Sequence, residues 1–267
     1  MSTTAELPLS VSIVSFNESA NIGRTLDSVK AINAEIIVVD SHSTDNTLEI
    51  AEASGAKVYV EDWKGHIRQK NSALEKCTQP WILSLDCDEV VSPKLREAII
   101  KAIKEGSRPG YHINRRTFYL GKLLRYAWQP DWNLRLVRKD AGPRWLGYDP
   151  HDRLKVDGRC GRLQGDLIHY SYMDLKDHMQ RLMAYAELTA NSYHQNGKRF
   201  HWYNLLINPL VAFFKKYALK RGFLDGSQGF FAAMSSIIYV FLKYLFLWEI
   251  ERIGRASSLK PSKETNA

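Results

Sequence analysis

Asp86 and Asp88 flank Cys87 at the end of the apolar run Trp81–Leu85. Residues two apart in an extended chain project to the same side. Two carboxylates so placed make a partial oxygen site for a hard divalent cation, Mg²⁺ or Mn²⁺. Magnesium typically takes one or two carboxylates and completes its shell with phosphates and water, so a diphosphate is the natural third party. A calcium loop of the EF-hand kind is excluded, because Val91 stands where that loop needs glycine and no helix precedes it.

The flanking elements must hold those acids in place. Leu9–Ser15, Glu35–Val39, Lys57–Val60 and Trp81–Leu85 read as strands. They alternate with helical spacing over 20–32, from Thr44 or Asp45 to Ala53, over 65–77, and again from Pro93. The nearly all-apolar EIIVV run fits a strand buried on both faces. Strand–helix alternation predicts a parallel α/β sheet with right-handed crossovers, and ligands in such sheets bind beyond the carboxyl ends of the strands. The residues just past those ends are Phe16-Asn17-Glu18, Asp40-Ser41-His42-Ser43, Asp62-Trp63 and Asp86-Cys87-Asp88-Glu89. Acids gathered at one rim repel unless a cation or hydrogen-bond donors lie between them. Neither a G-x-G-x-x-G nor a Walker A sequence is present, which excludes dinucleotide and P-loop chemistry by those fingerprints.

Four ordered stretches carry a resemblance. They are Val11–Glu18 (VSIVSFNE), Ile36–Thr47 (IIVVDSHSTDNT), Gln69–Leu74 (QKNSAL) and Leu85–Glu89 (LDCDE). Together they resemble the family 2 glycosyltransferases, and the match covers most of the first 95 residues. The later stretch Pro130–Arg138 and the oily C-terminal region resemble one branch, the lipopolysaccharide core β-1,4-glucosyltransferases that act on inner-core heptose.

The resemblance implies a GT-A type nucleotide-sugar-binding fold: a central, mostly parallel sheet flanked by helices. It also implies inverting, single-displacement transfer from a UDP-sugar such as UDP-glucose. By match to the motifs, Ser15, Asn17 and Glu18 lie near the nucleotide, and Asp40 contacts uracil or ribose. Arg68, Gln69 and Asn71 face the nucleotide and diphosphate. Asp86 touches ribose and metal, and Asp88 binds the metal directly.

Displacement at an anomeric carbon needs a stabilised leaving diphosphate and a base for the acceptor hydroxyl. The segment from Tyr111 to Gly165 is rich in aromatic residues and arginines, which suit sugar faces and phosphates. Trp132 and Arg135 are taken as substrate-binding within it. The same pattern also fits a strand-rich core with a basic rim. The family's acidic residue in this region matches Asp152, the expected base, with Asp149 and Asp131 as rivals. His169 is a third metal or diphosphate ligand, or a satisfied core histidine.

The 267 residues carry a net charge of +8, unevenly spread. From Lys198 onward there are eleven Lys and Arg against four Asp and Glu. Apolar stretches at 205–219 and 229–248 interleave with that charge, which suits an anionic membrane surface and argues against nucleic acid. Trp202 and Trp248 suit interfacial anchoring. A single transmembrane helix and a buried hairpin at an oligomer interface are the alternatives. The expected organisation is a catalytic domain over 1–197, a membrane-associating helical segment over 198–255 and a disordered tail over 256–267. The three scattered cysteines and the polar start predict a reducing compartment without a cleaved signal. The expected setting is the cytoplasmic face of the inner membrane, with a lipid-linked glycan as acceptor. Transfer onto a polyprenyl phosphate carrier is the rival reaction. A non-catalytic nucleotide-sugar or membrane-binding module is disfavoured by the intact Asp86 and Asp88.

Overall fold

The computed structural model describes residues 7–147 and 152–253. By internal contacts the chain forms two compact units. The first comprises residues up to 115 together with 131–169, and the second comprises 116–130 together with 170 onward. Tyr148, Asp149, His151 and the expected tail at 256–267 lie outside the described residues.

The first unit begins β1 (Leu9–Ser15), α1 (Ile22–Lys30), β2 (Glu35–Asp40), α2 (Thr47–Ala53), β3 (Lys57–Val60), α3 (His66–Lys76) and β4 (Trp81–Asp86). β1 and β2 are buried along almost their whole length; β2 is nearly all apolar, and β1 alternates Leu9, Val11 and Ile13 with the buried Ser10 and Ser12. α1 packs one stripe inward, through Ile22, Thr25, Leu26 and Val29. The α2 start follows Asp45, whose Oδ1 accepts the Thr47 N–H at 3.0 Å. The pairs β1–β2, β1–β4 and β2–β3 are parallel.

Beyond β4 the sheet changes character. A two-residue turn at Cys87 and Asp88 leads into the short β5 (Glu89–Val91). Ser92 caps α4 (Pro93–Glu105), with Pro93 in the first turn and Gly106 left-handed at the end. β6 (Gly110–Tyr119), β7 (Lys122–Leu123), β8 (Trp132–Arg138), β9 (Arg144–Leu146), β10 (Arg153–Lys155) and β11 (Gly161–His169) follow. The sheet order is β3-β2-β1-β4-β8-β6-β11-β5, with β7 on the end of β6 and β9–β10 as a separate ribbon. The pairs β4–β8, β6–β8 and β5–β11 are antiparallel. The sheet is therefore mixed rather than mostly parallel, because crossover helices link only the strands up to β4. Gly165 at φ +94° lets β11 pass α4, where a Cβ would lie 2.4 Å from the Leu95 nitrogen.

The second unit is mainly α5 (Leu175–Gln195), α6 (Trp202–Phe214) and α7 (Ser227–Ile253). The buried Asp225 carboxylate accepts the backbone N–H groups of Arg125, Tyr126 and Ala127 at 2.8–2.9 Å, which fixes the 120–127 loop. Tyr119, Trp128, Tyr172 and His178 pack ring against ring, with Tyr119 Oη 2.8 Å from His178 Nδ1. Burial holds that imidazole down at about 4. Cys77, in the first unit, is a small core residue whose thiol burial pushes up to about 12.

Candidate active site

Strand register collects the acidic ends. Ser15 pairs with Asp40 across β1–β2, and Val14 with Asp86 across β1–β4. Ser15, Asp40 and Asp86 therefore share one rim, at the carboxyl ends of the parallel strands. Asp40 is fully buried and organises that rim. Its carboxylate accepts from Ser15 Oγ (2.7 Å), Ser43 N (2.7 Å) and Ser43 Oγ (2.6 Å). Ser43 Oγ in turn accepts the Asn17 N–H, and Asn17 Oδ1 accepts the Thr44 N–H, both at 2.8 Å. Two non-glycine residues there, Asn17 and His42, hold positive φ of 51° and 63°. Such backbone conformations persist where the surroundings over-determine them, and they concentrate at functional loops. Glu18 accepts the Asn21 side-chain amide at 2.9 Å. Past the end of β3, Asp62 pairs with His42 at 2.9 Å, both exposed.

Asp86 and Asp88 meet different partners. The turn at Cys87–Asp88 breaks the extended geometry that would have aimed them together. Asp86 is drawn to two cations, Arg135 Nη2 at 2.8 Å and Lys70 Nζ at 3.2 Å. Burial would raise its carboxyl, but the Arg135 and Lys70 charges outweigh burial and hold it well below the usual range. Asp88 instead meets His169, Oδ2 to Nε2 at 3.2 Å. The β5–β11 ladder brings this about by pairing Glu89 with His169. Among the described residues no three His, Cys, Asp or Glu side chains form a ready-made metal centre. Of the expected set, Asp88 and His169 are paired with each other, and Asp86 is paired with Arg135 and Lys70. A carboxylate and an imidazole still form a chemically suitable partial donor set for a divalent ion completed by phosphate oxygens.

Sequence reasoning did not single out Lys70, Glu89 or Arg115. Lys70 Nζ bridges Asp86 and Asp152, 2.9 Å from Asp152 Oδ2, and lies 4.4 Å from the centre of the Trp145 ring. Burial would lower the Lys70 ammonium, but the two carboxylates outweigh it and keep it raised. Glu89 is wholly buried and accepts from Arg135 Nη2 at 2.7 Å and from the Asp86 N–H at 3.0 Å. Burial and the Asp86 charge push its carboxyl up despite Arg135. Arg115 continues the chain of charges to Asp131 at 2.8 Å. Asp131 also accepts the Asn133 amide at 3.0 Å, so both its oxygens are engaged.

The remaining expected residues separate. Arg68 is exposed. Asn71 gives its amide to β9, donating to Trp145 O at 3.0 Å and accepting Trp145 N at 2.8 Å. Trp132 lies under the Arg162 guanidinium, 4.9 Å from its ring centre. Several buried polar atoms have no partner: both Gln69 amide atoms, Ser41 Oγ, Arg135 Nε and Nη1, and Trp145 Nε1. Unpaired buried polar groups are costly.

Residues 10–152 match the family described as "Glycosyl transferase family 2". The chain belongs to glycosyltransferase family 2. This glycosyltransferase is 31% identical over 249 residues to a lipopolysaccharide core biosynthesis glycosyltransferase, LpsC, of Rhizobium meliloti, spanning 89% of this chain and 90% of the relative. It is also 31% identical over 261 residues to an uncharacterised glycosyltransferase of Rickettsia typhi, spanning 93% and 88%. Among solved structures it resembles the mannosyltransferase PcManGT of Pyrobaculum calidifontis, solved with GDP-Man and Mn²⁺. The TM-score is 0.52 and the identity 14%, over 92% of this chain and 88% of that one. The glycosyltransferase fold is GT-A-like, a curled mixed sheet flanked by helices.

Proposed function

We propose that this glycosyltransferase moves a hexose, glucose from UDP-glucose, onto a lipid-linked glycan of the lipopolysaccharide inner core, with inversion. The observation that carries the reading is the Lys70 bridge, which joins Asp86 at the strand-end rim to Asp152, the residue matching the family's acidic position. Support for the acceptor class comes from the likeness to the LpsC lipopolysaccharide core enzyme over 90% of that enzyme's length.

In this reading the donor's nucleotide lies along the rim of Ser15, Asn17, Glu18 and Asp40, with Gln69 supplying an unpaired buried amide. Asp88 and His169 are the residues that would hold Mg²⁺ or Mn²⁺ beside the diphosphate. When bound, such an ion stabilises the negative charge that builds on the leaving diphosphate. Arg135, with two unpaired guanidinium nitrogens, offers donors to the same anionic end. Asp152 accepts the proton of the attacking acceptor hydroxyl, and that oxygen displaces the diphosphate at the anomeric carbon. Lys70, seated over the Trp145 ring, holds the base in place through its ion pair with Asp152.

We assign the basic, apolar segment from 198 to a membrane surface on the cytoplasmic side, where a lipid-linked acceptor is met. A donor screen tests the proposal. Thermal shifts are measured for the purified chain with UDP-glucose, UDP, GDP-mannose and other nucleotide sugars, with and without Mn²⁺. A shift selective for UDP-glucose that needs the metal is expected. Preference for a guanosine or deoxythymidine donor, or no metal effect, contradicts it.

A further inference from the structure

We infer that α6, and not the longer and more obvious α7, is the helix this protein lays on a lipid surface. The inference rests on the reading that the acceptor is lipid-linked, and it specifies the surface that meets the lipid.

By length and composition α7 passes the test for a membrane span. Its small face, with Gly229, Ala232, Ala233 and Ser236, is nevertheless buried. Lys243 is drawn inward: its ammonium is 3.4 Å from Tyr193 Oη and sits 4.8 and 4.6 Å from the rings of Tyr193 and Tyr244. Tyr239 and Thr189 bond at 2.9 Å, tying α7 to α5. Along that side α7 is held on protein partners, while Phe230, Phe231, Ile238 and Phe241 on the rest of its surface are 38–47% exposed, each less than the apolar stripe of α6.

α6 is built the other way round. Trp202, Leu206, Leu210 and Phe214, spaced four apart, are 66%, 70%, 65% and 59% exposed. Ile207 and Val211 widen the stripe. Asn204 is 8% exposed and accepts from Asn208 one turn on at 3.1 Å. The polar side of the helix is thus turned inward and the oily side outward, the reverse of a helix on a water-soluble surface. Leu219, Phe223 and Leu224 continue the exposed apolar surface. Soluble monomers rarely expose contiguous patches of this kind without a binding role.

Charge selects the occupant. Residues 202–224 contain four basic side chains, Lys215, Lys216, Lys220 and Arg221, and not one Asp or Glu. Lys215 and Arg221 are exposed beside Phe214 and Phe223. An outward apolar stripe with an aromatic anchor at one end and cations at the other suits an anionic headgroup layer, with the helix lying in the interface. The buried Pro209 does not alter this, since an interfacial helix need not be continuous across a bilayer.

The test is flotation of the full-length chain with vesicles of phosphatidylethanolamine and phosphatidylglycerol, against vesicles of phosphatidylcholine alone. The unaltered chain should float with the anionic vesicles, more weakly at high salt but not abolished, because the apolar part is unscreened. Leu206→Glu/Leu210→Glu should lower the bound fraction at least roughly tenfold. Met183→Glu, an exposed apolar site on α5, should not. Lys215→Gln should lower binding about fivefold, as expected for the loss of one charge beside an anionic leaflet. Amide exchange on the unaltered chain gives a readout free of substitutions, with added protection over 202–214 and little change over 227–253. Undiminished flotation of the Leu206→Glu/Leu210→Glu chain, or protection confined to α7, overturns the inference. So does a chain that ignores vesicles and forms a dimer which that double substitution dissociates, since the face then pairs with a second copy. UDP-glucose turnover on a soluble acceptor is followed in parallel. Its absence would count against the proposed reaction, and its retention by the double variant would locate any failure in the lipid contact.

Discussion

Lys70 Nζ lies 2.9 Å from Asp152 Oδ2, so α3 and the residue preceding β10 are locked together at the rim of the parallel strands. Asp152→Asn should lower turnover by roughly 10²-fold while leaving donor affinity within a few-fold, as removal of a general base does. Lys70→Met should also lower kcat, and Lys70→Arg should recover part of the loss. Steady-state kinetics with separate donor titrations check all three. Full turnover by the Asp152→Asn chain would move the base elsewhere.

The Asp88–His169 pair predicts metal dependence. Asp88→Ala should cost roughly 10²–10³-fold in turnover and abolish the Mn²⁺-dependent thermal shift with UDP. His169→Ala should weaken that shift more than it lowers apo stability. Activity unchanged in EDTA would refute a metal role for both residues.

Arg135 is the hub of a buried charge network, with Asp86 at 2.8 Å and Glu89 at 2.7 Å. Arg135→Met leaves Asp86 to Lys70 at 3.2 Å and Glu89 to Arg115 at 3.6 Å, so the cost should fall at or below the lower end of the about 3–5 kcal/mol for breaking a buried pair. Urea denaturation should show a lower midpoint with an unchanged slope. A midpoint close to that of the unaltered chain would mean that the network relaxes into water.

Glu35 gives the pH dependence of stability. Burial would raise its carboxyl, but bonds from Ser10, Lys57 and Thr78 outweigh it and lower it to about 2. A carboxylate depressed in the folded state stabilises above its unfolded value near 4.5, and that contribution is lost as pH falls towards 2. The loss is on the order of 3 kcal/mol across that window. Thermal midpoints of Glu35→Gln against the unaltered chain should converge as pH falls from 5 to 2.5, by roughly this linkage.

The half of the fold up to β4 was legible because its strands are short stretches rich in β-branched and apolar residues and its helices carry one apolar stripe, both local signals. The rim was legible for the same reason, since Asp40 and Asp86 stand at the ends of those runs. What escaped depends on register. Glu89 meets Arg135, and Asp88 meets His169, only through the antiparallel arrangement of β5, β8 and β11, which one sequence does not specify. A signal did exist: a carboxylate at Glu89 and a guanidinium at Arg135 within otherwise apolar strands each need a buried partner. The different partners of Asp86 and Asp88 follow from the turn at Cys87 and Asp88, which the triplet alone does not specify. In the second unit hydropathy pointed to α7, although Asn204 and Asn208, four apart in an oily helix, already marked the inward side of α6.

The most direct measurement of the central claim is transfer itself. The purified full-length chain is incubated with labelled UDP-glucose, Mn²⁺ and detergent-dispersed lipopolysaccharide truncated to its inner core, and the label on the glycolipid is followed with its anomeric configuration. The account predicts metal-dependent incorporation of one glucose in the β configuration, slowed roughly 10²-fold or more in Asp152→Asn and Asp88→Ala. Label carried only by a polyprenyl phosphate, retention of the α configuration, or equal incorporation by those two variants would contradict it.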